Sequence, residues 1–493
     1  MGGEVKPGSR GLKSWAQRHL NVGFAVGFLL VLLTYLVVSR QLAVTAPGVY
    51  LVFDVIPDIK FLNSGHEKHS ELWGCFHHCQ RLSCGPCTKC SLSFGLSRAA
   101  EATTTSKAVC NTDGPVSETC ELDGDVRTNG SARSVTFVPA SPSSEPRREW
   151  KVRPYSRRTM SGVDRVTVTQ LESSPQQDPP ASPPCAVTHD VPAVLFALGG
   201  LTGNYWHDFS DVLVPLYAAS RRYKGDVLFL VSNLQPWWLG KYEAIVRRLS
   251  RYDAVDLDRD ARVRCFRHLT VGLRLHKELS IVPDLTPDRL TMADFTAFLR
   301  ETYALPRGAP VIPTAERKPR LLLIHRAHYR RFVNVPEIRR AAESAGFEVS
   351  VASPRGDTPV EETARMVNSH DVLLGVHGAG LTNAVFLPAG GVVIQVVPYG
   401  RLERMARTDF GEPVADMGLR YLEYSVAAEE STLLEMLGPE HPVIKDPDAV
   451  HRSGWDKVAE YYLGKQDVRI DVNRFAPTLA QAMDHLRHRH RQQ

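Results

Sequence analysis

What the sequence does without narrows it first. No G-x-S-x-G occurs, so the strained strand-to-helix turn that presents a hydrolase serine is missing. No Walker A sequence and no H-E-x-x-H occur either, which removes the phosphate loop of common NTPases and the helical zinc site of metalloproteases. Charge of one sign is scarce: 59 Lys and Arg against 54 Asp and Glu leave +5 over 493 residues, and that balance does not point to nucleic acid. No internal repeat is visible, and a single N-x-S/T sequon, Asn129-Gly130-Ser131, offers an asparagine for glycosylation.

What is present begins with a hydrophobic fraction of 43%, which excludes a wholly disordered chain, and a length beyond one ordinary core. Val22–Val38, VGFAVGFLLVLLTYLVV, carries no charge and with its flanks is long enough to span a bilayer. Lys6, Arg10, Lys13 and Arg18 precede it, and only Arg40 follows before Asp54. The positive-inside bias therefore predicts a type II anchor, with a cytosolic tail over 1–21, a span over 22–40 and everything beyond on the luminal side. A cleaved signal peptide ending near Ala46 is the competing reading. All nine cysteines follow the span, five of them clustered at Cys75, Cys79, Cys84, Cys87 and Cys90; in an oxidising lumen disulfides are expected over metal binding. Residues 41–148 read as a stem, because Ser-, Thr- and Pro-rich stretches such as EATTTS and SPSSEP follow the cysteines. Ser173–Pro184 reads as a proline-rich surface insert.

From Ala193 the pattern becomes α/β. Val194–Leu198 and Val227–Val231 read as buried strands, Tyr205–Ser220 and Leu239–Leu249 as helices. Alternation restarts after Pro306–Lys318, which holds three prolines. Strands are expected at Leu321–Ile324, Phe347–Val351, Val372–Val376 and Val392–Val397. Helices are expected at Val335–Ser344 (with Gly346 as its cap) and Val360–Met366, and a helical turn at Leu381–Phe386. Two α/β halves on largely parallel sheets, 149–310 and 311–493, are the simplest reading.

Three segments carry chemistry. His377-Gly378-Ala379-Gly380 joins a strand to a helical turn, where glycines and a helix N-terminus could admit a phosphate. The series ends in Asn383 where a dinucleotide fingerprint has glycine, so a plain tight turn remains an equal reading. Arg326, Arg330 and Arg331 follow the strand Leu321–Ile324 in HRAHYRR; they read either as a diphosphate clamp or as solvated charge. His207 and Asp211 sit four apart on one helix face, a spacing that suits a general base, while Asp208 points elsewhere. A buried histidine at a helix N-terminus is the bland alternative. Asp256-Leu257-Asp258 matches a metal-holding acidic pair but lies in the charged run DLDRDAR, and no metal site is expected there.

Six blocks in order, KVRPYSRR (Lys151–Arg158), GGLTGNYWHDFSDVLVPLY (Gly199–Tyr217), CFRHLTVGL (Cys265–Leu273), GVHGAGLTN (Gly375–Asn383), EHPVIKDP (Glu440–Pro447) and QDVRIDVNRF (Gln466–Phe475), resemble plant members of glycosyltransferase family 61. The resemblance implies a GT-B-like α/β fold of two Rossmann-like domains behind a single transmembrane helix and stem. It implies a Golgi enzyme, membrane-bound, that moves arabinofuranose or xylose from a UDP-sugar to xylan with inversion and without an essential metal or other cofactor. Expected partners are UDP-arabinofuranose or UDP-xylose, a xylan acceptor, the Golgi membrane, and a second copy or another Golgi transferase; nucleic acid is not among them. Carried onto this chain, His377, Gly378, Ala379, Gly380, Thr382 and Asn383 would face the diphosphate, and Arg326 and Arg330 would neutralise it. Asp211 would be the base, with His207 orienting it or the acceptor. The chain departs from the pattern at His325-Arg326, where a serine is expected before the arginine. Two other readings stay open: an N-glycan β-1,2-xylosyltransferase, and a luminal scaffold with the fold but no chemistry, against which the presence of His207, Asp211, Arg326 and His377 weighs.

Overall fold

Two sheets organise the chain. The computed structural model describes residues 106–140, 147–172 and 182–488, all within one contact unit, 69–493. The expected anchor, the five-cysteine cluster and most of the proline-rich insert lie outside the described residues. Among the described residues no helix is long and apolar enough to cross a membrane.

The first sheet has ten strands in the order β4-β5-β3-β2-β10-β7-β8-β9, with β1 pairing β2 and β6 pairing β10. One parallel run in it is β10 (Val263–Val271), β7 (Ala193–Ala197), β8 (Leu228–Ser232) and β9 (Val255–Asp256). Strands β7 and β8 are buried at every position, as parallel strands covered on both faces must be, and so they read as plain apolar runs.

The rest of that sheet corrects two expectations. Residues 107–138, assigned above to the stem, form β1 (Lys107–Asn111), β2 (Thr119–Asn129) and β3 (Ser134–Val138). β2 pairs antiparallel with β1, β3 and β10, so this sheet is mixed rather than largely parallel. The physical reason is one-sided burial. Cys120, Leu122, Val126 and Thr128 point inward, while Glu121, Asp123, Asp125 and Arg127 keep the outer face polar and give the segment a linker-like composition. β4 (Arg148–Val152), β5 (Val166–Gln170) and the short β6 (Val187–Thr188) complete the sheet. Cys110–Cys120 ties β1 to β2 at directly paired positions, and Cys185–Cys265 ties the segment before β6 to β10. All four described cysteines are therefore in disulfides.

The second sheet is parallel throughout, in the order β12-β11-β13-β14-β15. Its strands are β11 (Arg320–Ile324), β12 (Glu348–Ala352), β13 (Val372–Val376), β14 (Val392–Val397) and β15 (Arg420–Ser425). The chain builds β12 on one side of β11, then crosses to β13 on the other. In such a sheet the strand ends that flank the reversal are where ligands settle.

Two helices meet at that point, and both contain a widened turn. Helix α1 covers residues 205–220, with a π-helical turn at Asp208–Leu213. Pro215 supplies no N–H to Asp211 four residues back, and its ring would crowd that carbonyl in a regular helix. The helix over residues 403–416 has a π turn at Arg407–Gly411, again with a proline, Pro413, four residues after an aspartate, Asp409. The helix expected at Leu239–Leu249 is split into Pro236–Lys241 and Glu243–Leu249. The break falls at Tyr242, which is fully buried with its hydroxyl donating to Asp208 at 2.8 Å.

The halves are not loosely linked. Phe209 and Phe295 of the first share one apolar cluster with Ile324, Phe386 and Val414 of the second, and the Phe209 and Phe386 rings meet edge-to-face at 6.2 Å. The proline-containing linker is pinned as well: buried Asp371 accepts from Arg307, from Val311 N (2.7 Å) and from Arg320 N (2.7 Å).

Candidate active site at the meeting of the two sheets

Helix α1 starts on Asn204, whose side chain accepts from Trp206 N. One turn in, His207 Nδ1 lies 2.9 Å from Asp211 Oδ2. The i, i+4 spacing thus yields the expected pair. Asp211 is fully buried, and four contacts from three side chains hold its carboxylate. Oδ2 accepts from Tyr155 OH (2.8 Å) and Arg157 Nε (2.8 Å) as well as facing His207, and Oδ1 accepts from Arg157 Nη2 (2.8 Å). Burial works against the charged carboxylate, but hydrogen bonds from His207 and Arg157 outweigh it and hold its pKa below the ordinary value. Such a carboxylate, with no exposed side-chain surface, is closed to an incoming hydroxyl. It can hold the imidazole with the proton on Nδ1, which leaves Nε2 of partly exposed His207 as the basic atom. Arg157 continues outward to Glu278, with Nη1–Oε1 at 2.9 Å and Nη2–Oε2 at 2.6 Å. Asp208 faces the other way, accepting from Gly203 N, Trp238 Nε1 and Tyr242 OH.

Across from this dyad lie the ends of β11 and β13. Arg326 and Arg330 follow β11, and His377 to Gly380 follow β13. A Cβ added to Gly378 would lie 2.8 Å from Arg326 Nη1 and 3.3 Å from Arg330 Nη1, so both guanidiniums rest against this loop. Gly378 has φ +141°, a conformation that side chains rarely take. The turn carrying Arg330 is also strained: Tyr329 and Arg330 have φ of 47° and 55°, and Arg330 N donates to Gln466 O at 2.6 Å. Paired left-handed non-glycine residues persist only where surroundings enforce them, and ligand sites are where they gather.

One charge here lacks compensation, that of Arg330. Among the described residues no carboxylate pairs with Arg330, and its buried Nε has no hydrogen-bond partner. Burial, then the neighbouring Arg326, pulls its pKa down to about 9. Two cations at a strand-end reversal, beside the start of a helix, can form an anion cradle. His377 completes it. Burial, then Arg330 and Arg326, lowers its pKa to about 3, so it is neutral. Tyr421 OH donates to Gln395 Oε1, and Gln395 Nε2 donates to His377 Nδ1 at 2.7 Å. That chain places the imidazole proton on Nε2, which lies 3.8 Å from Asp409 Oδ2.

Several expected residues sit differently. Thr382 is fully buried and Asn383 nearly so, so neither faces a diphosphate. Asn383 Oδ1 accepts from Tyr205 OH (3.0 Å) and its Nδ2 donates to Gly380 O (2.9 Å), which joins α1 to the loop. A Cβ on Gly380 would meet Ile324 Cγ2 at 3.2 Å; this glycine serves the packing of the 3-10 helix Ala379–Phe386 on β11. Arg331 turns away to Asp467. Asp258 accepts from Asn233 N at 2.6 Å and Asp256 faces Arg259. Among the described residues no three His, Cys, Asp or Glu side chains converge as a metal site. A cavity of about 540 Å³ lined by Asn334, Glu430, Asp471 and Arg474 opens elsewhere and contains none of these residues. Sequence reasoning missed Tyr155, Arg157, Glu278 and Asp409. Tyr155 and Arg157 lie inside the quoted block KVRPYSRR, and Asp409 shares with Asp211 the spacing D-x-x-x-P.

The chain is similar to known proteins over most of its length. The family model described as Glycosyltransferase 61 matches residues 205–394. A beta-1,2-xylosyltransferase of Oryza sativa subsp. japonica is 45% identical over 392 residues, 75% of this chain and 83% of its own length. An alpha-1,3-arabinosyltransferase of the same organism is 40% identical, covering 77% of this chain and 66% of its own. A xylan glycosyltransferase of Arabidopsis thaliana is 32% identical, covering 76% and 78%. His207, Asp211, Arg326, Arg330, His377 and Gly378 all fall inside the matched span, and with such identity carried along most of a relative's length the chain belongs to the glycosyltransferase 61 family.

Proposed function

We propose that this glycosyltransferase moves a pentose, arabinofuranose or xylose, from a UDP-sugar to a side-chain position of xylan, with inversion at the anomeric carbon. The relatives named above act, by their names, as xylosyl-, arabinosyl- and xylan transferases, and that supports the substrate class. The observation that carries the donor is the pair Arg326 and Arg330 against Gly378, two partly buried cations at a strand-end reversal with Arg330 lacking a counter-charge. A diphosphate supplies that counter-charge.

The chemistry follows from the two sides. The acceptor hydroxyl oxygen attacks the anomeric carbon on the face opposite UDP and forms the new glycosidic bond. Its proton passes to His207 Nε2, and the bond from the anomeric carbon to the diphosphate oxygen breaks with its electron pair leaving on UDP. Asp211 stabilises the imidazolium, and Arg326, Arg330 and the Nε2–H of neutral His377 stabilise the charge on the leaving group. In this reading the arrangement is GT-B-like, with the acceptor on the first half and the donor on the second, and no metal is required. Residues 22–40 anchor the protein in the Golgi membrane with the catalytic part luminal. Relatives of both sugar types lie at 45% and 40% identity, so overall similarity does not select the pentose. The test is incubation of the full chain with a panel of UDP-pentoses and xylo-oligosaccharides. One pentose transferred to a xylo-oligosaccharide is the expected result; no transfer from any of them contradicts the reading.

A further inference from the structure

We propose that Asp409 reads the donor pentose, its carboxylate accepting hydrogen bonds from sugar hydroxyls between the diphosphate cradle and the His207 dyad. This rests on the donor site proposed above.

Its position is set from several sides. Asp409 lies in the π turn Arg407–Gly411 of the second half, and π turns often re-aim side chains at functional sites. Its own carbonyl accepts from Trp206 Nε1 at 3.3 Å, which clamps this turn onto α1 one residue before His207. The Trp206 and His207 rings are 4.8 Å apart. Its Oδ2 lies 3.8 Å from His377 Nε2, the imidazole atom left over for the ligand. Asp409 is therefore within reach of both the cradle and the base, where a sugar hanging from a diphosphate must lie if a hydroxyl held by His207 is to reach its anomeric carbon.

The carboxylate is also uncommitted. Its side chain keeps 24% of its surface exposed, and no described residue donates a hydrogen bond to it. The nearby carboxylates Asp211 and Glu278 differ, since Arg157 bonds both. The groups that face Asp409 are His377 after β13, Glu278 after β10 and Arg157 after β4. Burial, then Glu278, raises its pKa to about 7, with Arg157 opposing. A half-buried carboxylate with no donor is costly; sugar hydroxyls would satisfy it, and a bare UDP, which ends at the phosphate, would not.

The experiment titrates UDP and the transferred UDP-pentose separately into the full chain and into Asp409→Asn, with Asp409→Ser as a second variant. The expected result is unchanged UDP affinity and a loss of about tenfold or more in UDP-pentose affinity, the range for a hydrogen bond to a charged group. In the unsubstituted chain the affinity for UDP-pentose, whose diphosphate does not titrate in this range, should rise between pH 6 and pH 8 as Asp409 ionises, and in Asp409→Asn that rise should be lost. If both ligands bind and neither variant changes their ratio, the role of Asp409 is overturned while the donor site stands. If UDP affinity falls in step with UDP-pentose affinity, Asp409 belongs to the cradle and does not read the sugar. If neither ligand binds the unsubstituted chain, the donor reading itself fails and this inference with it.

Discussion

At the scale of single residues, the site spends stability on charge placement. Arg330 is a cation whose Nε is buried without a partner, with a second guanidinium beside it. Without a ligand such a group destabilises the fold; with a diphosphate it anchors the ligand. Arg330→Met should therefore raise the thermal stability of the unliganded protein, by on the order of 1–3 kcal/mol, the cost of an unsatisfied buried donor, and remove the stabilisation that UDP confers on the unsubstituted chain. Melting curves with and without UDP read both effects. Asp211 shows the opposite economy: its bonds to Tyr155, Arg157 and His207 are all made inside the protein. The spacing of His207 and Asp211 announced the pair, yet not which member works. That depends on Arg157, 54 residues earlier in the chain, whose arrival at the carboxylate no local pattern encodes.

At the scale of elements, α1 and the 3-10 helix Ala379–Phe386 hold dyad and cradle in register. The direct polar link is Tyr205 OH to Asn383 Oδ1. Tyr205→Phe removes it and should cost about 0.5–1.5 kcal/mol. It should also lower kcat more than it weakens UDP binding, because the cradle's own contacts remain; unfolding midpoints and steady-state kinetics check both. The strands β13 and β14 and the helix Val335–Ser344 were legible to the residue because fully buried parallel strands and an amphipathic helix leave clear periodicities. β2 was not, because its outward face is charged and its inward face has only every second residue. Asp409 was not legible either: it sits in a π turn away from any strand end, and the proline four residues on marks it only once Asp211 and Pro215 provide the parallel.

At the scale of the whole molecule, the two halves share one core and a pinned linker, so they should unfold together in a single transition rather than as separate domains. Cys185–Cys265 closes a long loop, its ends 80 positions apart in sequence, and reduction should cost about 4–5 kcal/mol in the chain-entropy account. Calorimetry with and without a reductant should show one peak that moves down in temperature; two separated peaks would mean that the halves are independent.

The central claim is a division of labour, with the donor diphosphate held by Arg326, Arg330 and the loop at Gly378, and the acceptor proton taken by His207. Measuring UDP affinity and transfer rate side by side in His207→Ala tests it most directly. UDP affinity should be unchanged while transfer falls about 10²- to 10⁴-fold, the usual contribution of a general base. Transfer that survives the substitution, or that falls only in proportion to UDP affinity, would contradict the claim.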